Sequence, residues 1–279
     1  MIAIRIIRFL KRIFFESIKI WKTRNIWLNL NSNPHSNLTN NVHMLVVKNI
    51  MYIDLARICI ESFLHYHPKT KIIVHCDSQT IDKMRKGLRA IQKRRPGSII
   101  LLLDTGIESW QIKKLKLLLS LMGTSDFFMD ADIRWNGVIK KIQGLTFFVQ
   151  EFYLKENSIY SKFLENLSLN SEKNYTMKNT SFFCWNNLSL NSQTLDWIDS
   201  ILLNISSISK IIGFSESEKN EIYRIQEQLI ISLATDQSDM KSFFLKNSDK
   251  QFDGGLAESS YFGATGSRFS KFGITKRKI

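Results

Sequence analysis

Between residues 44 and 129 the sequence alternates short apolar runs with helix-periodic stretches, and this alternation most limits the folds open to the chain. Residues 44–47, 71–76, 99–102 and 127–129 read as strands, and 52–66, 78–91 and 110–122 as the helices between them. Pro68 blocks extension of the first helix, and Pro96-Gly97 ends the second. Strand–helix alternation at this spacing predicts an α/β fold in which a parallel sheet carries helices on both faces. Past Asp132 the regularity loosens. Strands are expected at 146–150, 181–185 and 243–245, and helices at 193–203 and 219–234. No internal repeat and no compositional break divides this region. The expectation is one catalytic-sized domain over 44–279, preceded by an Asn- and Ser-rich linker at 31–43 and a separate segment at 1–30.

The fourth apolar run leads straight into Asp130-Ala131-Asp132. In open parallel sheets ligands bind beyond the carboxyl ends of the strands. On an extended backbone residues i and i+2 point the same way, so both carboxylates fall at one locus. Two like charges that close are unfavourable without a cation to neutralise them. Oxygen ligands of this kind suit Mg²⁺ or Mn²⁺ bridging to a substrate diphosphate.

With these residues in place, the chain resembles GT-A-fold glycosyltransferases, the DxD-containing nucleotide-diphospho-sugar transferases. The resemblance spans roughly 44–272. It rests on the first strand with Tyr52, WQIKKL at 110–115, DFFMDADIRWNG at 126–137, NTSFFCWN at 179–186, EQ at 227–228 and the tail SSYFGATGSRFSKFG at 259–273. It implies a Rossmann-type mixed sheet flanked by helices and transfer of a sugar from a nucleotide diphosphate to an acceptor hydroxyl. It further implies Mn²⁺ or Mg²⁺ on Asp130 and Asp132, and the donor base near Tyr52. One departure is plain: these enzymes often take a further metal ligand from a C-terminal His, whereas all five His here precede residue 76. Two aspartates with water and phosphate, or a tail oxygen, remain to complete the shell.

Further donor contacts are expected from Gln111 and Lys114, three apart on one helix face, and from the cations Arg268 and Lys271. The ordinary reading of such lysines is a solvated basic face, and of Trp110 a core position. An inverting transferase needs a base near the acceptor hydroxyl. Glu151, Glu227, Asp253 and Glu258 are alternatives for that role. Gly254-Gly255, Gly263 and Gly266 read as a pliable loop and match no nucleotide-binding glycine fingerprint.

Charge decides the expected partners. A net +14 points to an anionic partner: nucleic acid, membrane or phosphorylated substrate. Residues 1–24 carry seven cations against Glu16, and residues 82–95 another seven against Asp82. In the first cluster Ile2, Ile6, Phe9, Ile13 and Ile20 recur near a helical period opposite Arg5, Arg8, Arg12 and Lys19, with Trp21 and Trp27 following. Such a basic amphipathic segment fits an anionic bilayer interface. The expected placement is therefore cytoplasmic, peripheral on the inner membrane face, with a glycan or lipid-linked acceptor. No run approaches the roughly 20 apolar residues of a spanning helix. Cys59, Cys76 and Cys184 are odd in number and lie in apolar segments, so buried free thiols in a reducing compartment are expected. Two rivals remain. A sugar-phosphate nucleotidyltransferase would need a glycine- and basic-rich signature where Lys48–Tyr52 stands. A nucleic-acid-binding module would need aromatics interleaved in the run 83–95, so no nucleic-acid partner is expected.

Overall fold

The computed structural model describes residues 38–47, 51–133, 135, 138–139, 142–167, 169, 173–206, 214–245 and 252–253. Segment 1–30, Glu258, Arg268 and Lys271 lie outside the described residues. Strands β1 (Val42–Val46), β2 (Ile72–Cys76), β3 (Ile99–Leu103) and β4 (Phe127–Met129) alternate with helices α1 (Met51–Tyr66), α2 (Ile81–Arg94) and α3 (Trp110–Ser120). Then come β5 (Val138–Ile139), β6 (Leu145–Tyr153), α4 (Ser158–Asn166), β7 (Thr176–Cys184), α5 (Ser192–Ser206), α6 (Glu216–Arg224), α7 (Gln226–Gln237), β8 (Ser242–Phe244) and β9 (Phe252–Asp253).

Seven strands form one sheet in the order β3-β2-β1-β4-β7-β6-β8. The first four are parallel, β7 runs antiparallel between β4 and β6, and β8 is parallel to β6. The fold is thus the expected α/β mixed sheet flanked by helices. The chain builds outward from β1 through β2 to β3, then returns to place β4 on the other side of β1. That reversal creates a crevice at the carboxyl ends of β1 and β4, the usual place for a ligand in an open α/β sheet.

Both faces are apolar because period-two alternation feeds two cores. Phe127 and Met129 enter one core with Met44, Val74, Phe63 of α1 and Leu88 of α2. Phe128 enters the other with Phe147, Phe183, Leu118 of α3 and Leu229 of α7. Trp185 closes the second core and donates its indole N–H to the Leu118 carbonyl at 2.6 Å. All three cysteines are free and buried.

The structure corrects two expectations. The stretch expected as one helix over 219–234 is two helices, α6 and α7, meeting at Ile225, whose φ of −121° leaves the helical range. Trp110 is not core: it stands exposed at the start of α3. The start of α6 is set by a capping box, in which Ser215 accepts from the Glu218 amide while the Glu218 carboxylate accepts from the Ser215 amide. Ser215→Ala should lower stability by about 1 kcal/mol, read as a shift in the urea-unfolding midpoint.

Candidate active site

Asp130 follows the last residue of β4, and Tyr52 is the second residue of α1, shortly after β1. Since β1 and β4 pair in parallel, both residues sit at the carboxyl-end crevice. The backbone of Asp130 is fixed on the β7 side, where its N–H donates to the Ser181 carbonyl at 2.7 Å. Beneath it, the buried Cys59 thiol donates to the Asp130 carbonyl at 3.4 Å. Burial, and then the charges of Asp132 and Asp130, push that thiol well up, so Cys59 is an uncharged floor for the turn. Ala131 and Asp132 are themselves buried, while the Asp130 side chain is about one-quarter exposed.

Lys114 is neither solvated nor directed to an open surface. Its ammonium is buried, 3.0 Å from Asp130 Oδ2 and 3.5 Å from Glu227 Oε1, over the Phe128 ring. Burial alone would lower its pKa, but Asp130, Glu227 and Asp132 outweigh it and hold it up at about 12. Lys114 is therefore a permanent cation that clamps β4 to α7. The neighbouring Lys113 makes the matching contact to Asp104, just beyond β3, at 3.0 Å. Two consecutive lysines of α3 thus tie two strand ends together. Gln111, one turn earlier, is half-buried.

Glu227 is 3% exposed, and its Oε2 has no hydrogen-bond partner among the described residues. Burial raises its pKa; Lys114 opposes that rise and Asp130 adds to it. The adjacent Gln228 points elsewhere, donating to Glu151 Oε2 at 2.9 Å. Asn179 of β7 donates to the other oxygen, Glu151 Oε1, at 2.7 Å. Asn179 Oδ1 in turn accepts from the Ser181 amide at 2.8 Å, which leads back to Asp130. An exposed carboxylate on β6 is thus held from both sides and joined to the β4 turn through β7.

The position of α7 is fixed from behind. The Lys178 amide donates to Ser232 Oγ at 2.9 Å, and its buried ammonium donates to Thr235 Oγ1 at 2.9 Å and pairs with Asp236. These contacts bring Glu227 and Gln228 to the crevice. Of the expected site residues, Tyr52, Lys114, Asp130, Ala131, Asp132, Glu151 and Glu227 gather around the carboxyl ends of β1 and β4 and the start of α7. Asp253 lies in β9, paired with Val138 of β5. Sequence reasoning missed Lys113–Asp104 and Asn179–Glu151; the NTSFFCWN segment contained Asn179 but did not point to its partner.

Asp130 and Asp132 supply hard carboxylate oxygens, the donor chemistry Mg²⁺ and Mn²⁺ prefer. One oxygen of Asp130 is engaged by Lys114, which leaves the other for a cation. Among the described residues no group of three or more His, Cys, Asp and Glu side chains could hold a metal. No described helix is long and apolar enough to cross a membrane.

No protein-family model and no curated protein sequence matches the chain. Solved structures similar to it include a mannosyltransferase from Pyrobaculum calidifontis in complex with GDP-Man and Mn²⁺. That likeness is 12% identical with a TM-score of 0.34, over 66% of this chain and 54% of that one. Core-mannan synthase A from Aspergillus fumigatus, in its Mn/GDP form, is 10% identical with a TM-score of 0.38, over 86% and 84% of the two chains. The galactosyltransferase LgtC, in complex with donor and acceptor sugar analogues, is 9% identical with a TM-score of 0.35, over 83% and 94%. At such scores the likenesses carry no weight on what this chain binds; that rests on the crevice.

Proposed function

We propose that this chain is a metal-dependent glycosyltransferase that moves a sugar from a nucleotide-diphosphate donor to an acceptor hydroxyl. The observation that carries the reading is that Asp130 and Asp132, in the turn that follows β4 at the crevice between β1 and β4, both act on the buried Lys114, which orients Asp130. Asp130 and Asp132 would hold Mn²⁺ or Mg²⁺, which when bound neutralises the charge developing on the departing nucleoside diphosphate. Tyr52 borders the same crevice and offers an aromatic surface to the base. Gln111 lies on the same helix as Lys114 and is placed for ribose or phosphate. Arg268 and Lys271 add cations toward the diphosphate.

Glu227 is suited to accept from a donor-sugar hydroxyl, because its unsatisfied oxygen is buried at the crevice and a hydroxyl would satisfy it. Glu151 is the better placed of the carboxylates to take the acceptor proton, being exposed and held by Asn179 and Gln228. Asp253 and Glu258 are the alternatives. The acceptor in this reading is a glycan or lipid-linked glycan, and residues 1–30 hold the enzyme peripherally on the inner, anionic face of a membrane.

Calorimetry with UDP-, GDP- and CDP-sugars, each with and without Mn²⁺, tests the reading. One nucleotide class should bind, and only with the metal. If none binds, or if binding is indifferent to Mn²⁺, the assignment fails.

A further inference from the structure

The second basic cluster is helix α2, and its place in the fold suggests a use separate from the crevice. β3 is the terminal strand of the sheet, and α2 runs directly into it while packing on its inner face, so both lie at one lateral edge of the molecule. α2 buries Met84, Leu88 and Ile91 and exposes Lys83, Arg85, Lys86, Arg89, Lys93 and Arg94, with Asp82 as its one acid. Arg85 pairs with Asp82 at 2.6 Å and Arg94 with Glu61 at 2.7 Å. Lys83 with Lys86, Lys86 with Arg89, and Arg89 with Lys93 are like-charge neighbours at helical spacing, which weakens a helix rather than supporting it. Nothing in the fold requires this face to be cationic.

The strand it leads into is unusual in the complementary way. Edge strands are normally blunted with charge or covered, because exposed apolar edges invite association. Here Ile100, Leu102 and Leu103 of β3 are exposed, and the loop that follows carries Ile107, 96% exposed, and leads to the exposed Trp110 at the start of α3. Strand alternation turns Ile100 and Leu102 away from the face on which α2 packs, so the edge carries cations on one side and exposed aliphatics on the other. Met edge-on, an anionic bilayer interface accepts both: phosphates take the charge, and the headgroup–acyl boundary takes the apolar tips. We propose that the α2–β3 edge is a docking surface for an anionic phospholipid bilayer, approached edge-on and distinct from residues 1–30. Among the described residues no strand pairs with the outer side of β3, and its backbone groups there must stay hydrated, so the edge rests at headgroup depth and does not enter the hydrocarbon. A nucleic acid would use the cations but leaves the aliphatics without a role.

The test is flotation of the full-length protein with phosphatidylcholine vesicles that contain or lack phosphatidylglycerol. The protein should float with the anionic vesicles and be released by salt. Replacing Lys83, Lys86, Arg89 and Lys93 together with Gln should lower partitioning by about 10²-fold or more, at roughly fivefold per cation near an anionic surface. Ile107→Ser should weaken partitioning while leaving its salt dependence unchanged, and so exposed a position does not endanger folding. Equal flotation of the Gln variant and the wild type would sink the proposal, since residues 1–30 would then account for all binding. Equal binding to neutral vesicles would overturn it too. So would a Gln variant that loses duplex RNA binding yet keeps its hold on anionic vesicles.

Discussion

Replacing Lys114 with methionine is expected to cost the fold about 3–5 kcal/mol, the usual penalty for removing one partner of a buried ion pair. The reason is specific to this clamp. Lys114 is the counter-charge for both Asp130 and Glu227, and Glu227 is 3% exposed with one oxygen already unsatisfied. Without the ammonium, a buried carboxylate faces Asp130 with nothing between them. Protonation of Glu227 is then the cheapest relief, which gives the loss a pH signature. Burial raises the folded pKa of Glu227, and the opposing influence of Lys114 is gone in the variant. Between the unfolded value and that raised folded value, the folded state binds a proton that the unfolded state does not. Stability contributed this way is present at low pH and lost as pH rises through the folded pKa. The gap between Lys114→Met and wild type should therefore narrow on acidification from neutral pH, read from urea midpoints across a pH series. Adding Glu227→Gln to Lys114→Met should recover part of the loss, because the amide is neutral at every pH. A gap independent of pH would show that the buried carboxylate is not the source of the cost.

The first half of the sheet was legible because its strands read as nearly continuous apolar runs between proline and glycine stops, although only β4 is buried throughout and β3 leaves most of its run exposed. For β4 the expected and observed bounds agree, Phe127 to Met129. The second half was less so. β7 begins at Thr176, five residues before the expected start, because Lys178 and Asn179 break the apolar pattern. Their polarity is satisfied by α7 and β6, partners about 30 to 60 residues away that no local window contains. The break at Ile225 has no glycine or proline to announce it, and the apolar pattern runs on through it. Two start signals in the sequence went unused: Ser215-x-x-Glu218, which marks an earlier helix start, and Asn157, whose side chain accepts from the Ile159 amide at the head of α4, a helix that was not expected. The two aspartates could be found because their chemistry follows from strand position. Lys114 could not be placed, since whether a lysine is solvated or buried depends on acids that only the fold brings to it.

Asp130 and Asp132 should separate when each is changed to asparagine, and the separation tests the division of labour at the crevice. Both changes remove a carboxylate proposed to hold the metal. Substituting mere partners of metal ligands costs about 10–100-fold in metal affinity, so losing a ligand should weaken Mn²⁺-dependent nucleotide binding by more than about 100-fold. Their effects on the fold should differ. Asp130 accepts from Lys114 at 3.0 Å, and its loss leaves the buried ammonium with Glu227 at 3.5 Å. Asp130→Asn should thus lower thermal stability along with binding, in the same direction as Lys114→Met but less, because one counter-charge remains. Asp132 is buried beside the same turn and is the weakest of the three acids that act on Lys114. Asp132→Asn should lose metal-dependent nucleotide binding at a smaller cost in melting temperature than Asp130→Asn, because its influence on Lys114 is weaker. Calorimetric titration with Mn²⁺ and the nucleotide, paired with thermal unfolding of each variant, reads both quantities. If Asp132→Asn binds metal and nucleotide as wild type does, the carboxylate pair is not a metal site, and Asp130 serves only to hold Lys114.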